Sequence, residues 1–277
     1  MEHLRRTAAS PVRLAAALLL LLFGNLALAA PPQADCRLVA GEVLSGAVAE
    51  DFRTIVAGEG RFSPAGIAPP SLLAPNETEL QDAALAALQA FLSRAGLQAE
   101  RLSQRPDRHG RHAALIGRNE TLLQEYLLRQ GLALALPAGL GDKKPACTAR
   151  FFAAEEEARG ARQGLWARAE MVRNAHAPDA LSSQYGRYVI VAGTIISVGN
   201  RPYRTYLNFG RDWSHDFTAE IARAQRAAFG DEAGLAALAG RTVRLRGFLK
   251  RRAGPVLELE APWQLEVIAE KGPQGDD

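Results

Sequence analysis

The chain has 277 residues and carries 33 Lys and Arg against 30 Asp and Glu, a formal net charge of +3. That length suits two modest domains. The weak charge excludes a chain-wide polyanion-binding field, so any nucleic-acid contact has to come from local patches. Two widely separated cysteines, with no C-x-x-C spacing, exclude a disulfide framework and a thiolate metal site.

Arg5, Arg6 and Arg13 precede an apolar run at 14–23 and the small-residue pattern Ala27-Leu28-Ala29. This three-part layout predicts a secretory signal peptide over residues 1–29, cleaved after Ala29. The rival is an uncleaved membrane anchor, although 14–30 is marginal for crossing a bilayer. Cleavage removes three arginines and one glutamate and leaves a near-neutral chain, exported to the periplasm or the exterior of a bacterial cell, with no later span. In an oxidising compartment Cys36 and Cys147 form a single long-range disulfide, or else stand as two free thiols.

From residue 36 to 67, short apolar runs alternate with glycines: Leu38 to Gly41, Thr54 to Gly58, Arg61-Phe62. This predicts short antiparallel strands and tight turns. After a Pro-rich loop, Leu80, Ala84, Leu88, Phe91, Leu92 and Ala95 recur at helical spacing, with Gly96 at the end. Strands are expected at 97–102 and 113–116, flanking a turn at 107–111. Asn119 is the expected N-cap of a second helix bearing Leu122, Leu123, Tyr126 and Leu127 and ended by Gly131. Thr148 is expected to open a third helix that stops at Gly164-Leu165-Trp166.

The series Asp107-Arg108-His109-Gly110-Arg111, then 127–133 (Leu-Leu-Arg-Gln-Gly-Leu-Ala), then Ala154-Glu155, then Gly164-Leu165-Trp166 resembles the staphylococcal nuclease-like, or thermonuclease, family. The resemblance covers a domain at 36–168 and is stronger in its second half. It implies an α+β, mainly β fold: an OB-type five-stranded barrel with three helices. It also implies calcium-dependent phosphodiester hydrolysis, in which carboxylates hold the ion, a further carboxylate activates water and two arginines neutralise the phosphate.

Carried over by position, Arg111 matches one phosphate-binding arginine, and Asp51 matches one metal-binding aspartate. These two are the candidate catalytic residues, with Asp51 as the candidate calcium ligand. The family's R-L-x-G-I-D-A-P-E block falls on 63–71, where Ser63 replaces its arginine, Ala68 its aspartate and Ser71 its glutamate. Calcium takes six to eight oxygen ligands, so one matching carboxylate makes an impaired enzyme. The expectation is a non-catalytic module binding nucleic acid or an envelope protein. The alternatives are a weak calcium-dependent nuclease using Asp51 and Arg111, with help from Glu50 or Glu59, and a purely structural two-barrel module.

Residues 169–185 are polar and predict a linker. Beyond them, strands are expected at 188–198, 205–209, 217–221, 242–249, 256–259 and 264–268, with helical turns at 222–229 and 233–239. This is the order of a second small OB-like β-barrel over 186–270, with a disordered tail at 271–277. Arg204 and Tyr206, with Lys250, Arg251 and Arg252, interleave rings and charge as single-strand binders do, and are the candidate nucleic-acid-binding residues. The alternative is that Tyr206 and Phe209 pack inward. Asp212, Trp213, His215 and Asp216 match no metal-ligand spacing.

Overall fold

The computed structural model describes residues 36–39, 41–140 and 144–268, so the signal-peptide reading of 1–29 and the tail at 271–277 lie outside the described residues. The described chain is a mixed α+β structure with two curled sheets. The first half runs β1 (Glu42–Val43), β2 (Val48–Asp51), β3 (Thr54–Ala57), β4 (Gly60–Pro64), β5 (Ile67–Ala68), α1 (Thr78–Leu92), β6 (Gln98–Arg101), β7 (His112–Arg118), β8 (Thr121–Leu122), α2 (Leu123–Arg129), β9 (Leu134–Ala135) and α3 (Pro145–Gly160). The second half runs β10 (Val172–Asn174), α4 (Pro178–Ser182), β11 (Tyr188–Thr194), β12 (Ser197–Asn200), β13 (Arg204–Asn208), β14 (Thr218–Ala222), α5 (Glu232–Ala236), β15 (Thr242–Arg251), β16 (Pro255–Leu259) and β17 (Leu265–Val267).

Both sheets have one topology. The first is ordered β1-β6-β7-β4-β3-β2, the second β11-β15-β16-β14-β13-β12 with β10 added beyond β11. β4 pairs parallel with β7, and β14 pairs parallel with β16. In each case the first barrel strand is split, and its two pieces serve the two opposite edges of the sheet. A helix, α1 or α5, precedes the fourth barrel strand. This is the connectivity of an OB-type barrel. The split explains why the β-branched run at 188–198, expected as one strand, breaks at Ile195-Ile196. Ile195 is buried while Ile196 is 48% exposed, and beyond them the chain passes from one edge to the other.

Apolar side chains fill each barrel. Ile55, Phe62, Leu115 and Ile116 are fully enclosed with Leu88 and Phe91 of α1, whose apolar stripe sits at the predicted spacing. Leu207, Ala219, Ile221, Leu245 and Leu257 fill the second barrel. A third apolar cluster, including Ala68, Leu134, Trp166, Met171 and Ile190, joins residues of both halves. Cys36 and Cys147 are bonded, S–S 2.05 Å, which ties the start of the described chain to α3.

Three expectations need correction. Asn119 is not a helix cap: it takes φ 51° in the turn between β7 and β8, a conformation asparagine tolerates better than most residues. The helix begins only at Leu123. Thr148 lies inside α3, which opens at Pro145, because proline at the first turn gives up only an N–H that has no helical partner there. The stretch expected as a linker, 169–185, is structured. Its β10 pairs parallel with β11, and Met171, Ala175 and Leu181 are buried.

Candidate functional site

The matched residues meet at one end of the first barrel. The Asp107–Arg111 turn is closed by backbone bonds from Asp107 N to Arg111 O (2.8 Å) and from Gly110 N to Asp107 O (2.9 Å). Gly110 takes φ +74°, which suits glycine. The turn delivers Arg111 to the start of β7, beside β3 and β4. There its guanidinium is committed. Nε and Nη2 both donate to Asp107 Oδ2 (3.0 and 2.7 Å), and Nη1 donates to Thr54 Oγ1 (3.3 Å) and weakly to the Arg53 carbonyl (3.5 Å). The Arg111 side chain is only 11% exposed. Its hydrogen bonds hold the Asp107 carboxyl well below the ordinary aspartate range.

Arg61, on β4, stands against the same turn: its Cδ lies 3.9 Å from where a Cβ on Gly110 would be. It is also committed, donating through both terminal nitrogens to Glu50 (3.0 and 2.5 Å). That pairing raises the Arg61 pKa, with a smaller contribution from the charge of Asp51. Asp51 is exposed, and its Oδ1 accepts the Arg53 N–H at 2.6 Å, the local bond of a tight turn. Each arginine is therefore neutralised by an acid of its own barrel.

Beside these groups is a cleft of about 210 Å³, lined among others by Phe52, Arg53, Ser63, Ile67, Ala113 and Leu136. Ser63 faces it from the position that the resemblance assigns to an arginine. Ala68, at the position of a metal carboxylate, is buried in the β5–β9 pair. The donor set does not fit calcium: Asp51 offers one exposed carboxylate, Glu50 is held by Arg61, and Ala68 has no donor at all. Among the described residues no cluster of three or more His, Cys, Asp or Glu side chains is placed to hold a metal ion. Sequence reasoning did not anticipate Phe52, Ala113 and Leu136 as cleft residues. Their only signal was apolarity beside a family motif.

The second barrel carries the opposite kind of surface. Tyr206, Glu220 and Glu258 lie side by side on β13, β14 and β16, with Tyr206 opposite Glu220 and Glu220 opposite Glu258. Arg204 pairs with Glu220. Arg252 pairs with Glu220 (3.0 Å) and with Glu258, and Lys250 pairs with Glu258. The hydrogen bond from Lys250 is the main reason that the Glu258 carboxyl is held below the ordinary glutamate range, and Arg252 adds to it. The structure thus gathers Arg204, Tyr206, Lys250 and Arg252 on one face. Arg251 is exposed on the β15–β16 hairpin and lines a different hollow, with His215 and Asp179. Phe209 packs inward at 2% exposure. Asp212 and Asp216 are occupied in their own loop, accepting from Ser214 and from the Asp212 N–H respectively.

Fold and turn motifs together define a nuclease-type OB domain followed by a second barrel of the same connectivity. Residues 65–168 match the family model described as Staphylococcal nuclease homologue, so the chain contains a staphylococcal nuclease-like domain. The match begins at Ala65, just past the strands that carry Asp51, Arg61 and Ser63. No curated protein matches the chain.

Proposed function

We propose that this is an exported, non-hydrolysing member of the nuclease-like group that binds nucleic acid. The observation that carries the reading is the state of the catalytic end of the first barrel. Arg111 is spent on Asp107 and Arg61 on Glu50, while the positions of the family's second metal aspartate and of its glutamate hold Ala68 and Ser71. Phosphodiester hydrolysis needs charge that is free to meet the phosphate as the barrier is crossed. Removing one such stabiliser costs about 3 kcal/mol, and several are missing together. A nuclease-like domain still supports polynucleotide recognition, because binding needs cations and stacking surfaces but no metal.

Export is supported by the charged, apolar and small-residue order at 1–29 and by the Cys36–Cys147 disulfide, which suits an oxidising compartment. Among the described residues no helix is long and apolar enough to cross a membrane.

The test uses the chain lacking residues 1–29. Release of acid-soluble nucleotides from single-stranded DNA and RNA is measured with calcium and with chelator, beside retention of a labelled oligonucleotide. Retention without release is expected. Release that needs calcium and is lost in Arg111→Ala would overturn the non-catalytic reading.

A further inference from the structure

We propose that the second barrel is the polynucleotide-binding element, and that a single strand lies across its outer face over the row Arg204–Glu220–Arg252–Glu258–Lys250, with Tyr203 at its Arg204 end. This rests on the nucleic-acid reading above and locates it.

The argument begins from the shared connectivity. Because both barrels have the same strand order, the outer surface of β3, β4 and β7 in the first corresponds to that of β13, β14 and β16 in the second. In the first barrel that surface holds the apolar cleft and self-neutralised arginines. In the second it holds ionised groups from four neighbouring strands, linked hand to hand. Three cations face two carboxylates there, so the row keeps a positive excess.

Further cations lie at its Arg204 end. The β12–β13 turn carries Arg201 and Tyr203, and Tyr203 accepts the Arg223 N–H through its carbonyl (2.9 Å), which brings Arg223 beside it. Arg226 donates to the Arg201 carbonyl and has a buried Nε without a partner among the described residues. Tyr203 is 78% exposed, a cost in water for its ring that a stacked base would relieve. A row of cations with an exposed ring at one end suits a phosphodiester backbone with an unstacked base, which a duplex does not present.

Glu220 is a positioning residue in this scheme. Glu220 is 6% exposed and fixes Arg204 and Arg252 from below. Without it these long side chains would lose their shared orientation.

The experiment measures binding of a labelled oligothymidylate by the chain lacking residues 1–29, across a salt series, with heparin as competitor. Arg252→Glu and Tyr203→Ala alter exposed side chains, so both variants are expected to fold, which circular dichroism checks. Each is expected to weaken binding about tenfold, whereas Arg105→Glu, the same charge change on the first barrel, leaves it within about twofold. Unchanged binding in both second-barrel variants, with the parent binding normally, overturns this location and leaves the nucleic-acid reading standing. No binding by the parent at any salt overturns the reading itself. Loss in Arg252→Glu but none in Tyr203→Ala, with full displacement by heparin, overturns the single-strand assignment in favour of a generic polyanion surface.

Discussion

Glu155 and Arg246 stand 91 residues apart in sequence and form a fully enclosed ion pair, with side chains 0% and 1% exposed. Arg246 on β15 donates to both Glu155 oxygens (2.9 and 3.2 Å) and to the Ala135 carbonyl (3.1 Å). Glu155 on α3 also accepts the Ala135 N–H at 2.7 Å, and the Arg246 guanidinium sits 4.5 Å from the Phe152 ring centroid. Burial alone would depress the arginine's pKa; the charge and hydrogen bonds of Glu155 outweigh it, and the net shift is upward. The nuclease-like domain thus takes the counter-ion for its buried acid from the second barrel.

Removing one partner leaves a buried charge without compensation, which typically costs about 3–5 kcal/mol. Arg246→Met is therefore expected to lower stability by that amount, read as a denaturant midpoint shift at constant slope. Adding Glu155→Gln should recover much of the loss, since the amide oxygen still accepts from Ala135 and no charge remains. A double variant as unstable as Arg246→Met would show that packing, and not charge, sets the cost.

Gly131 and Gly164 join two motifs by direct backbone contact. Both have positive φ, +64° and +53°, and the Leu165 N–H donates to the Gly131 carbonyl at 2.9 Å. A Cβ on Gly131 would lie 2.2 Å from the Gln163 carbonyl oxygen, which is backbone and cannot swing away. The left-handed conformation alone costs an L-residue about 1–2 kcal/mol. Gly131→Ala should lose more than this, lowering the melting temperature by about 2–4 °C per kcal/mol. A melting temperature within error of the parent would show that the two loops separate freely.

This contact also explains what the sequence made legible. Gly131 and the Gly164-Leu165-Trp166 run are recognisable because the fold tolerates no other residue at the touching points. The α1 stripe was legible because Leu80, Ala84, Leu88 and Phe91 follow a local period. Other features depended on partners far along the chain. Nothing in Val172-Arg173-Asn174 signals a parallel partner, which β11 supplies. Nothing near Asp51 shows that Glu50 will be taken by Arg61, eleven residues away and two strands over in the sheet. The candidate site was legible as motif positions, and its neutralised state only as three-dimensional pairing.

Asp107 gives a pH-dependent reading of that neutralisation. Its carboxyl is held below the ordinary aspartate range because its charged form receives the Arg111 guanidinium and two backbone N–H groups. A depressed folded pKa stabilises the fold above the unfolded value, near 3.9, and that contribution is lost as pH falls through the folded value. Carbon-detected NMR should find Asp107 still ionised at pH 3, and Arg111→Ala should move its midpoint upward. An unshifted midpoint in the variant would mean that the backbone N–H groups alone set it, leaving Arg111 free for a phosphate.

Calcium supplies a further check on the first barrel. A ligand that binds the folded state raises stability by RT ln(1 + [L]/Kd). With one exposed carboxylate the dissociation constant lies above any millimolar concentration, so calcium should shift the melting temperature by less than about 1 °C. A dose-dependent rise, abolished in Asp51→Asn, would establish a metal site on Asp51 and reopen the catalytic reading.

Glu258 competes with phosphate for Lys250 and Arg252, which fixes the sign of its effect on binding. Its side chain is 27% exposed and pairs with both cations, while Glu220 stays behind to hold Arg252 at 3.0 Å. Replacing the carboxylate with an amide keeps the side chain's volume and frees one positive charge, that of Lys250, at the end of the row. For a single strand each added phosphate contact steepens the logarithmic salt dependence by about 0.7. Glu258→Gln should therefore bind oligothymidylate more tightly at low salt, with a slope steeper by about that amount, and the gain should fade as salt rises. Weaker binding at every salt concentration would mean that Glu258 holds the cations in place for the strand, making it a support of the site instead of a rival for it.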